Sequence, residues 1–204
     1  MSGIMDELLE RYPLLKICAT DILSAFERMS TAYKEDGTVY VCGNGGSAAD
    51  AEHIVGELMK SFMLARPIPA EASDKINDPA ISDHLEGALR AVALTSPLGL
   101  NTAFANDVAP ELVFAQQVYG YARPGDVLWA LSTSGNSKNV LAALKVARGM
   151  GCHTLGLTGQ SGGAMASLCD VCIRVPVEEV YKVQELHLPV YHALCRMLEE
   201  KFFG

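Results

Sequence analysis

The sequence lacks the features that mark membrane and secreted proteins. No apolar run reaches the roughly 20 residues that a membrane-spanning helix needs. Residues 1–10 include Asp6, Glu7 and Glu10, and have neither the basic start nor the apolar core of a signal peptide. We therefore expect a cytoplasmic protein that does not enter a membrane.

Basic charge is also scarce. The chain has 16 Lys and Arg residues against 24 Asp and Glu residues, a formal net charge of −8, and no basic run. This balance argues against nucleic acid as the main partner, because phosphate backbones bind to clustered positive charge. A local site for a single phosphate group stays compatible with it.

The sequence contains a single C-x-x-C motif. Of the six cysteines, only Cys169 and Cys172 have C-x-x-C spacing, and no second pair accompanies them. A structural zinc site of four cysteines would need that second pair. We interpret these cysteines as small apolar core residues.

Helix and strand patterns alternate along the 204 residues, which is the length of a single domain. We predict strands over 38–42, 92–95, 126–131, 153–158 and 170–175. We predict helices over 6–34 with a break at Pro13, 47–64 with Ser47 as N-cap, 82–91, 110–121, 137–150 and 181–203, and a surface excursion over 66–90. Continuous apolar strands joined by helices indicate an α/β fold with an open, mostly parallel sheet covered on both faces.

A glycine-rich turn follows the first predicted strand. Gly43-x-Gly45-x-x-Ala48 matches a dinucleotide fingerprint, but the acidic residue expected about 20 positions later is replaced by Leu64-Ala65-Arg66. The remaining interpretations are a tight turn that needs glycine, or a polar turn whose amides face a ligand.

The turn after the third predicted strand, Ser132-Thr133-Ser134-Gly135-Asn136-Ser137, contains four hydroxyl groups in six residues. A helix begins directly after it, and a helix N-terminus favours an anion. The lysine of a Walker motif is absent, so the turn suits a phosphate monoester better than a nucleoside triphosphate. A helix cap alone would need one hydroxyl.

Acid–base candidates lie on two predicted helices. His53 and Glu57 are spaced i and i+4, so they share one helix face. The last helix carries Gln184, Glu185, His187 and His192. His84 and His153 have no comparable neighbours, and we expect them to be structural or exposed.

Taken together, these motifs resemble one family. Residues 41–47, His53-x-x-x-Glu57, Asn106-Asp107, residues 131–137, residues 157–159 and Gln184-Glu185-x-His187-x-x-x-x-His192 are similar to the sugar isomerase (SIS) domain, and within it to the phosphoheptose isomerases. The resemblance implies a three-layer αβα sandwich of flavodoxin-like type and a homotetramer with sites shared between subunits. It also implies conversion of sedoheptulose 7-phosphate to D-glycero-D-manno-heptose 7-phosphate through an enediol, feeding bacterial heptose and surface glycan synthesis.

The resemblance also implies roles for individual residues. Glu57 and His192 would transfer protons, and one zinc ion per subunit would be bound by His53, Glu57, Gln184 and His192. The phosphate would be bound by Ser132, Thr133, Ser134 and Ser137, and the sugar by Asn44, Gly45, Gly46, Glu57, Asn106, Asp107 and Gln184. A single SIS domain over 1–204 would carry an N-terminal helix over 5–35 for oligomerisation and an insertion near 68–91. Tyr181, in place of the usual acidic residue, and Pro189 depart from the family pattern.

Two other functions remain open at this stage. Some SIS-domain tetramers bind a replication initiator or sense sugar phosphates without catalysis, and other members isomerise different sugar phosphates. Retention of Glu57 and His192 favours an enzyme. On a straight helix Gln184 and His192 lie about 12 Å apart, so a shared zinc site requires a later helix start, a kink at Pro189, or a ligand from a neighbouring subunit.

Overall fold

A five-stranded parallel sheet forms the centre of the computed structural model, which describes residues 2–204. The strand order is β2-β1-β3-β4-β5, and every neighbouring pair runs parallel. The strands are β1 (Val39–Cys42), β2 (Ala91–Ala93), β3 (Val127–Leu131), β4 (His153–Thr158) and β5 (Val171–Arg174). This order is that of a flavodoxin-like doubly wound sheet, and it confirms the predicted α/β fold.

Helices cover both faces of the sheet. They are α1 (Ser2–Arg11), α2 (Ala19–Lys34), α3 (Gly46–Met59), α4 (Ala70–Ile76), α5 (Pro79–Ser82), α6 (Leu98–Asp107), α7 (Val113–Tyr121), α8 (Lys138–Gly149) and α9 (Val180–Phe203). Short 3₁₀ segments occupy Pro13–Cys18, Pro110–Leu112 and Gly163–Ser167. Among the described residues no helix is both long and apolar enough to cross a bilayer.

The two faces of the sheet bury two separate cores. Val39 and Val41 of β1 point into a core with α1, α2, α3 and α9, whereas Tyr40 and Cys42 point into a core with α7 and α8. This alternation follows from the two-residue period of a strand. The result is a three-layer arrangement in which the carboxyl ends of all five strands lie at one edge.

The predicted break at Pro13 is confirmed, so the N-terminal region over 5–35 contains two helices rather than one. Proline lacks an N–H donor, and Pro13 begins a 3₁₀ segment that separates α1 from α2. Ile22, Phe26 and Met29 are buried in this chain's own core rather than kept for an interface. Leu14 and Ile17 remain exposed, at 63% and 76%.

The excursion before β2 also differs from the prediction. Helices form at α4 and α5 instead of 82–91. Helix α5 begins at Pro79 because the Asp78 carboxylate accepts the Ala80 amide and proline suits the first helical position. Helix α6 was not predicted. It buries none of its side chains, so it has no apolar period to reveal it.

Two helix boundaries matter for the site. Helix α3 is capped by Gly45 rather than Ser47, which lies buried in its first turn, and it ends at Met59 instead of residue 64. Helix α9 begins before Gln184 and continues through Pro189 to Phe203. A later helix start is thereby removed as a route for Gln184 to approach His192, and Pro189 does not interrupt the helix.

Candidate active site

A polar cavity of about 290 Å³ opens at the carboxyl ends of β1 and β3. Ligands bind at this edge in doubly wound sheets, because the loops after the strands converge there. The cavity is lined by Asn44, Gly45, Gly46, Ser47, Leu131, Ser132, Thr133, Ser137, Val180 and Gln184. The structure therefore brings together the two polar turns that the sequence singled out.

Glycine is required where the first turn meets α9. Gly45 has a φ of 56°, in the left-handed region that disfavours side chains. A Cβ on Gly46 would lie 2.5 Å from the Gln184 amide nitrogen, so any side chain there would displace Gln184. This close approach sets Gln184 against the start of α3.

The first turn is tied to the second through α8. The side-chain amides of Asn44 and Asn139 exchange two hydrogen bonds, of 2.9 and 2.8 Å. The Thr133 carbonyl accepts the Gly159 amide at 3.0 Å. Three successive strand ends, those of β1, β3 and β4, are thus held in one rigid edge.

Three of the four hydroxyl groups of the second turn line the cavity. The Ser132 and Ser137 hydroxyl oxygens lie 3.0 Å apart, and Ser137 caps α8 without a side-chain cap bond. Its hydroxyl therefore stays on the cavity side. Ser134 is exposed, and its oxygen accepts the Asn136 amide within the turn, so the structure does not place it in the cavity.

A second polar cluster lies further along α3 and α9. The His53 Nε2 atom is 3.2 Å from the Glu57 carboxylate, and the Lys60 ammonium is 3.4 Å from its other oxygen. The Tyr191 hydroxyl is 3.0 Å from His53 Nδ1 and donates to Asp50 at 3.2 Å. The sequence analysis did not predict Asp50, Tyr191 or Lys60. The spacing of Asp50 relative to His53 and Glu57, i, i+3 and i+7, places it on the same helix face and could have revealed it.

His192 completes this cluster. Its ring centroid is 5.0 Å from that of His53, and its Nε2 atom is buried without a hydrogen-bond partner among the described residues. Burial lowers the pKa of His192, and the neighbouring His53 lowers it further. A buried nitrogen without a partner indicates a position that a ligand group can satisfy.

Gln184 does not join the other three predicted zinc ligands within one chain. It lies eight residues before His192 on a continuous helix, a rise of about 12 Å, and it lines the cavity instead. In the part of the chain that the structure describes, no three His, Cys, Asp or Glu side chains are grouped to hold a metal ion. A single chain therefore does not fit a complete zinc site, and zinc stays a prediction.

The Asn106–Asp107 pair lies at the end of α6. Both side chains are exposed, and the Asn106 amide donates to Asp107 at 2.8 Å. Neither residue lines the cavity. A role in sugar binding stays a prediction.

A buried ion pair anchors the two helices that carry the acid–base cluster. Arg66 donates to the Glu199 carboxylate of α9 at 2.7 Å, and also to the carbonyls of Leu58 and Glu57 at the end of α3. The same carboxylate accepts the amides of Phe62 and Met63. The backbone of Glu57 is thus fixed relative to α9.

Comparisons with known proteins agree with this arrangement. A sequence profile described as SIS domain matches residues 12–88 and 84–159. The phosphoheptose isomerase of Rhodospirillum rubrum is 41% identical over 184 residues, which cover 90% of this chain and 87% of that protein. That of Akkermansia muciniphila is 36% identical over 96% of this chain and 93% of that protein.

Solved structures give the same result. The structure of phosphoheptose isomerase from Neisseria gonorrhoeae superposes with a TM-score of 0.77 at 33% identity, over 98% of this chain and 96% of that one. A phosphoheptose isomerase from Francisella tularensis superposes with a TM-score of 0.76 at 27% identity, over 98% and 96%. The similarity therefore extends over nearly the whole fold.

Proposed function

This chain belongs to the SIS-domain family and, within it, to the phosphoheptose isomerases, and we propose that it interconverts sedoheptulose 7-phosphate and D-glycero-D-manno-heptose 7-phosphate. Membership makes it an aldose–ketose isomerase. The seven-carbon substrate is the finer part of the proposal, together with a place in bacterial heptose and surface glycan synthesis.

One geometric observation carries the proposal. The first turns of α3 and α9 line the hydroxyl-rich cavity, and the His53–Glu57–His192 cluster lies further along the same two helices. Along α9 the step from Gln184 to His192 is about 12 Å, and along α3 the step from Gly46 to His53 is roughly 10 Å. This separation suits a substrate whose phosphate and reacting carbons lie at opposite ends of a chain.

The residues present can move the required protons. Isomerisation transfers one proton between C1 and C2 and moves the carbonyl in the opposite direction. Glu57 takes the carbon proton from C1 to form an enediol and returns it to C2, and a positioned carboxylate is a suitable base for this step. His192 relays a proton between the two enediol oxygens. His53 holds the Glu57 carboxylate in place, and the Tyr191 hydroxyl holds the His53 ring.

Assembly and metal content form a second part of the proposal. We propose a cytoplasmic homotetramer in which a neighbouring copy supplies Gln184 to the His53, Glu57 and His192 of this chain, and together they hold one zinc ion. Exposed Leu14 and Ile17 support an interface, since large apolar side chains at the surface are often buried by a partner. When bound, zinc would polarise the substrate carbonyl, and the proton transfers above are carried by the protein's own groups.

The test is an NMR assay of aldose formation from a panel of ketose phosphates and from unphosphorylated sedoheptulose. We expect turnover of sedoheptulose 7-phosphate, reduced about 10²–10⁴-fold in Glu57→Gln and in His192→Asn. In Ser132→Ala/Thr133→Ala we expect a higher KM for the phosphate ester and little change for the unphosphorylated sugar.

The panel also separates the alternatives. Preference for a shorter ketose phosphate would replace the proposed substrate. Binding of a sugar phosphate without turnover would favour a sensor or a non-catalytic tetramer. Near-normal turnover by either the Glu57 or the His192 variant would reject the assigned proton transfers.

A further inference from the structure

The C-x-x-C pair has a defined position that the proposed reaction does not use. Cys169 precedes the edge strand β5, and Cys172 lies within it, in register with Gly156 of β4. A Cβ placed on Gly156 would lie 2.9 Å from the Cys169 sulfur and 3.1 Å from the Cys172 sulfur. Both sulfurs therefore lie close to Gly156, where the absence of a side chain leaves room for them.

Exposure separates this pair from the other cysteines. Cys18, Cys42, Cys152 and Cys195 are buried, whereas Cys169 and Cys172 are both partly exposed. The pair therefore lies closer to solvent than the four buried thiols, which packing shields. Reactive cysteines are found in such partly exposed positions, and structural cysteines in buried ones.

The two thiols are also inequivalent. A hydrogen bond from Cys169 lowers the pKa of Cys172, and Arg174 adds to this effect, against burial and Asp21. The same hydrogen bond raises the pKa of Cys169, as do burial, Asp170 and Cys42. The lowered pKa favours Cys172 as the attacking sulfur and leaves Cys169 as the resolving one.

We propose that Cys169 and Cys172 form a redox-active dithiol that a hydroperoxide converts to a disulfide. The Cys172 thiolate attacks the peroxide, the O–O bond breaks, and the products are a Cys172 sulfenic acid and, after protonation, water or an alcohol. The Cys169 sulfur then attacks the sulfenic sulfur. The S–S bond forms, and the hydroxyl group leaves with the Cys169 proton as water.

The local structure suits this chemistry. A disulfide requires the two Cβ atoms about 3.5–4.5 Å apart, and convergence over Gly156 holds the sulfurs on one side of the sheet. This geometry changes our interpretation of the pair, since apolar packing alone would not need both sulfurs beside one glycine. The inference is independent of the proposed isomerase activity.

The test is a thiol count on the reduced full-length protein before and after a small excess of hydrogen peroxide. After unfolding in an alkylating reagent, we expect the number of free thiols to fall from six to four per chain. The tryptic peptide over residues 149–174, which also contains Cys152, should lose two hydrogen masses, and fragmentation should place the bond between Cys169 and Cys172.

Single variants assign the two roles. In Cys169→Ser, oxidation should stop at a Cys172 sulfenic acid that dimedone traps. In Cys172→Ser, thiol loss should slow by about tenfold or more, because the thiolate is the nucleophile. The matched control Cys152→Ser, in the same peptide, should still form the disulfide. Six thiols remaining after peroxide, a bridge that includes Cys152, or wild-type oxidation of Cys172→Ser would each overturn the proposal.

Discussion

His187 shows how one buried side chain can set the acid stability of this fold. It lies on α9 with a relative exposure of 0%. Burial lowers the pKa of His187 from 6.5 to about 4, with the Thr158 backbone opposing the change. The native state therefore keeps this ring neutral over a pH range in which the unfolded chain protonates it.

We predict that this difference destabilises the protein as the pH falls from about 6.5 to about 4. In that window the unfolded state binds one more proton, so the free energy of unfolding should drop by up to about 1.4 kcal/mol per pH unit. Urea unfolding across this range should show a shallower pH slope in His187→Leu than in wild type. His84→Gln, at an exposed histidine, should keep the wild-type slope. Equal slopes in all three proteins would assign the acid sensitivity to other groups.

Site residues could be predicted from the sequence where they lie close together along the chain. Ser132, Thr133 and Ser137 were found because a strand-to-helix turn with extra hydroxyl groups is visible in the sequence, and all three line the cavity. Tyr191 was missed because its role depends on α3 and α9 packing together, which brings its hydroxyl to Asp50 and His53. No pattern along one helix encodes that contact.

At the scale of elements, burial decided what the sequence could reveal. Strands β1 and β3 are buried at every position, and both were predicted within one residue. Helices α4 and α6 bury no side chains, so neither has an apolar stripe, and neither was predicted. The ends of α3 were misplaced because Gly45 and the Arg66 contacts, rather than apolar spacing, set them.

The Arg66–Glu199 pair gives an element-scale prediction. Burial raises the pKa of Glu199, but the Phe62 and Met63 amides and Arg66 outweigh it and hold the pKa below its usual value. Glu199→Gln leaves the buried Arg66 charge unpaired, so it should lower the free energy of unfolding at neutral pH by about 3–5 kcal/mol.

The same pair gives the expected pH dependence. The stabilisation from Glu199 is present above the unfolded pKa of Glu, about 4.3, and is lost as the pH falls through the lower native value. Urea denaturation should show that Glu199→Gln removes this acid-side loss, whereas Glu111→Gln, at an exposed glutamate outside this contact, should behave as wild type. An unchanged free energy of unfolding of Glu199→Gln at pH 7 would mean that the Arg66–Glu199 pair does not anchor α3 to α9.

At the scale of the whole molecule, one chain brings three of the four predicted zinc ligands near each other and leaves the fourth, Gln184, apart. His53, Glu57 and His192 meet within one chain, while Gln184 lines the cavity two helical turns away on the unbroken α9. The sequence left three routes for Gln184 open, because helix start and kink at Pro189 depend on tertiary packing. For the shared zinc site that we propose, the continuous helix favours a neighbouring copy as the source of Gln184.

Subunit mixing tests this division. We predict that inactive Gln184→Ala and Glu57→Gln subunits, refolded together in equal amounts, regain activity at about a quarter of the sites, because a random pairing joins an intact Glu57 to an intact neighbouring Gln184 with that frequency. Mixing Glu57→Gln with His192→Asn is the matched control and should stay inactive, since one chain must supply both groups. Hybrid formation is checked by native mass spectrometry. Activity in the control mixture alone would show that Glu57 and His192 act across subunits, and the proposed assembly would then have to be redrawn with these two groups on different chains.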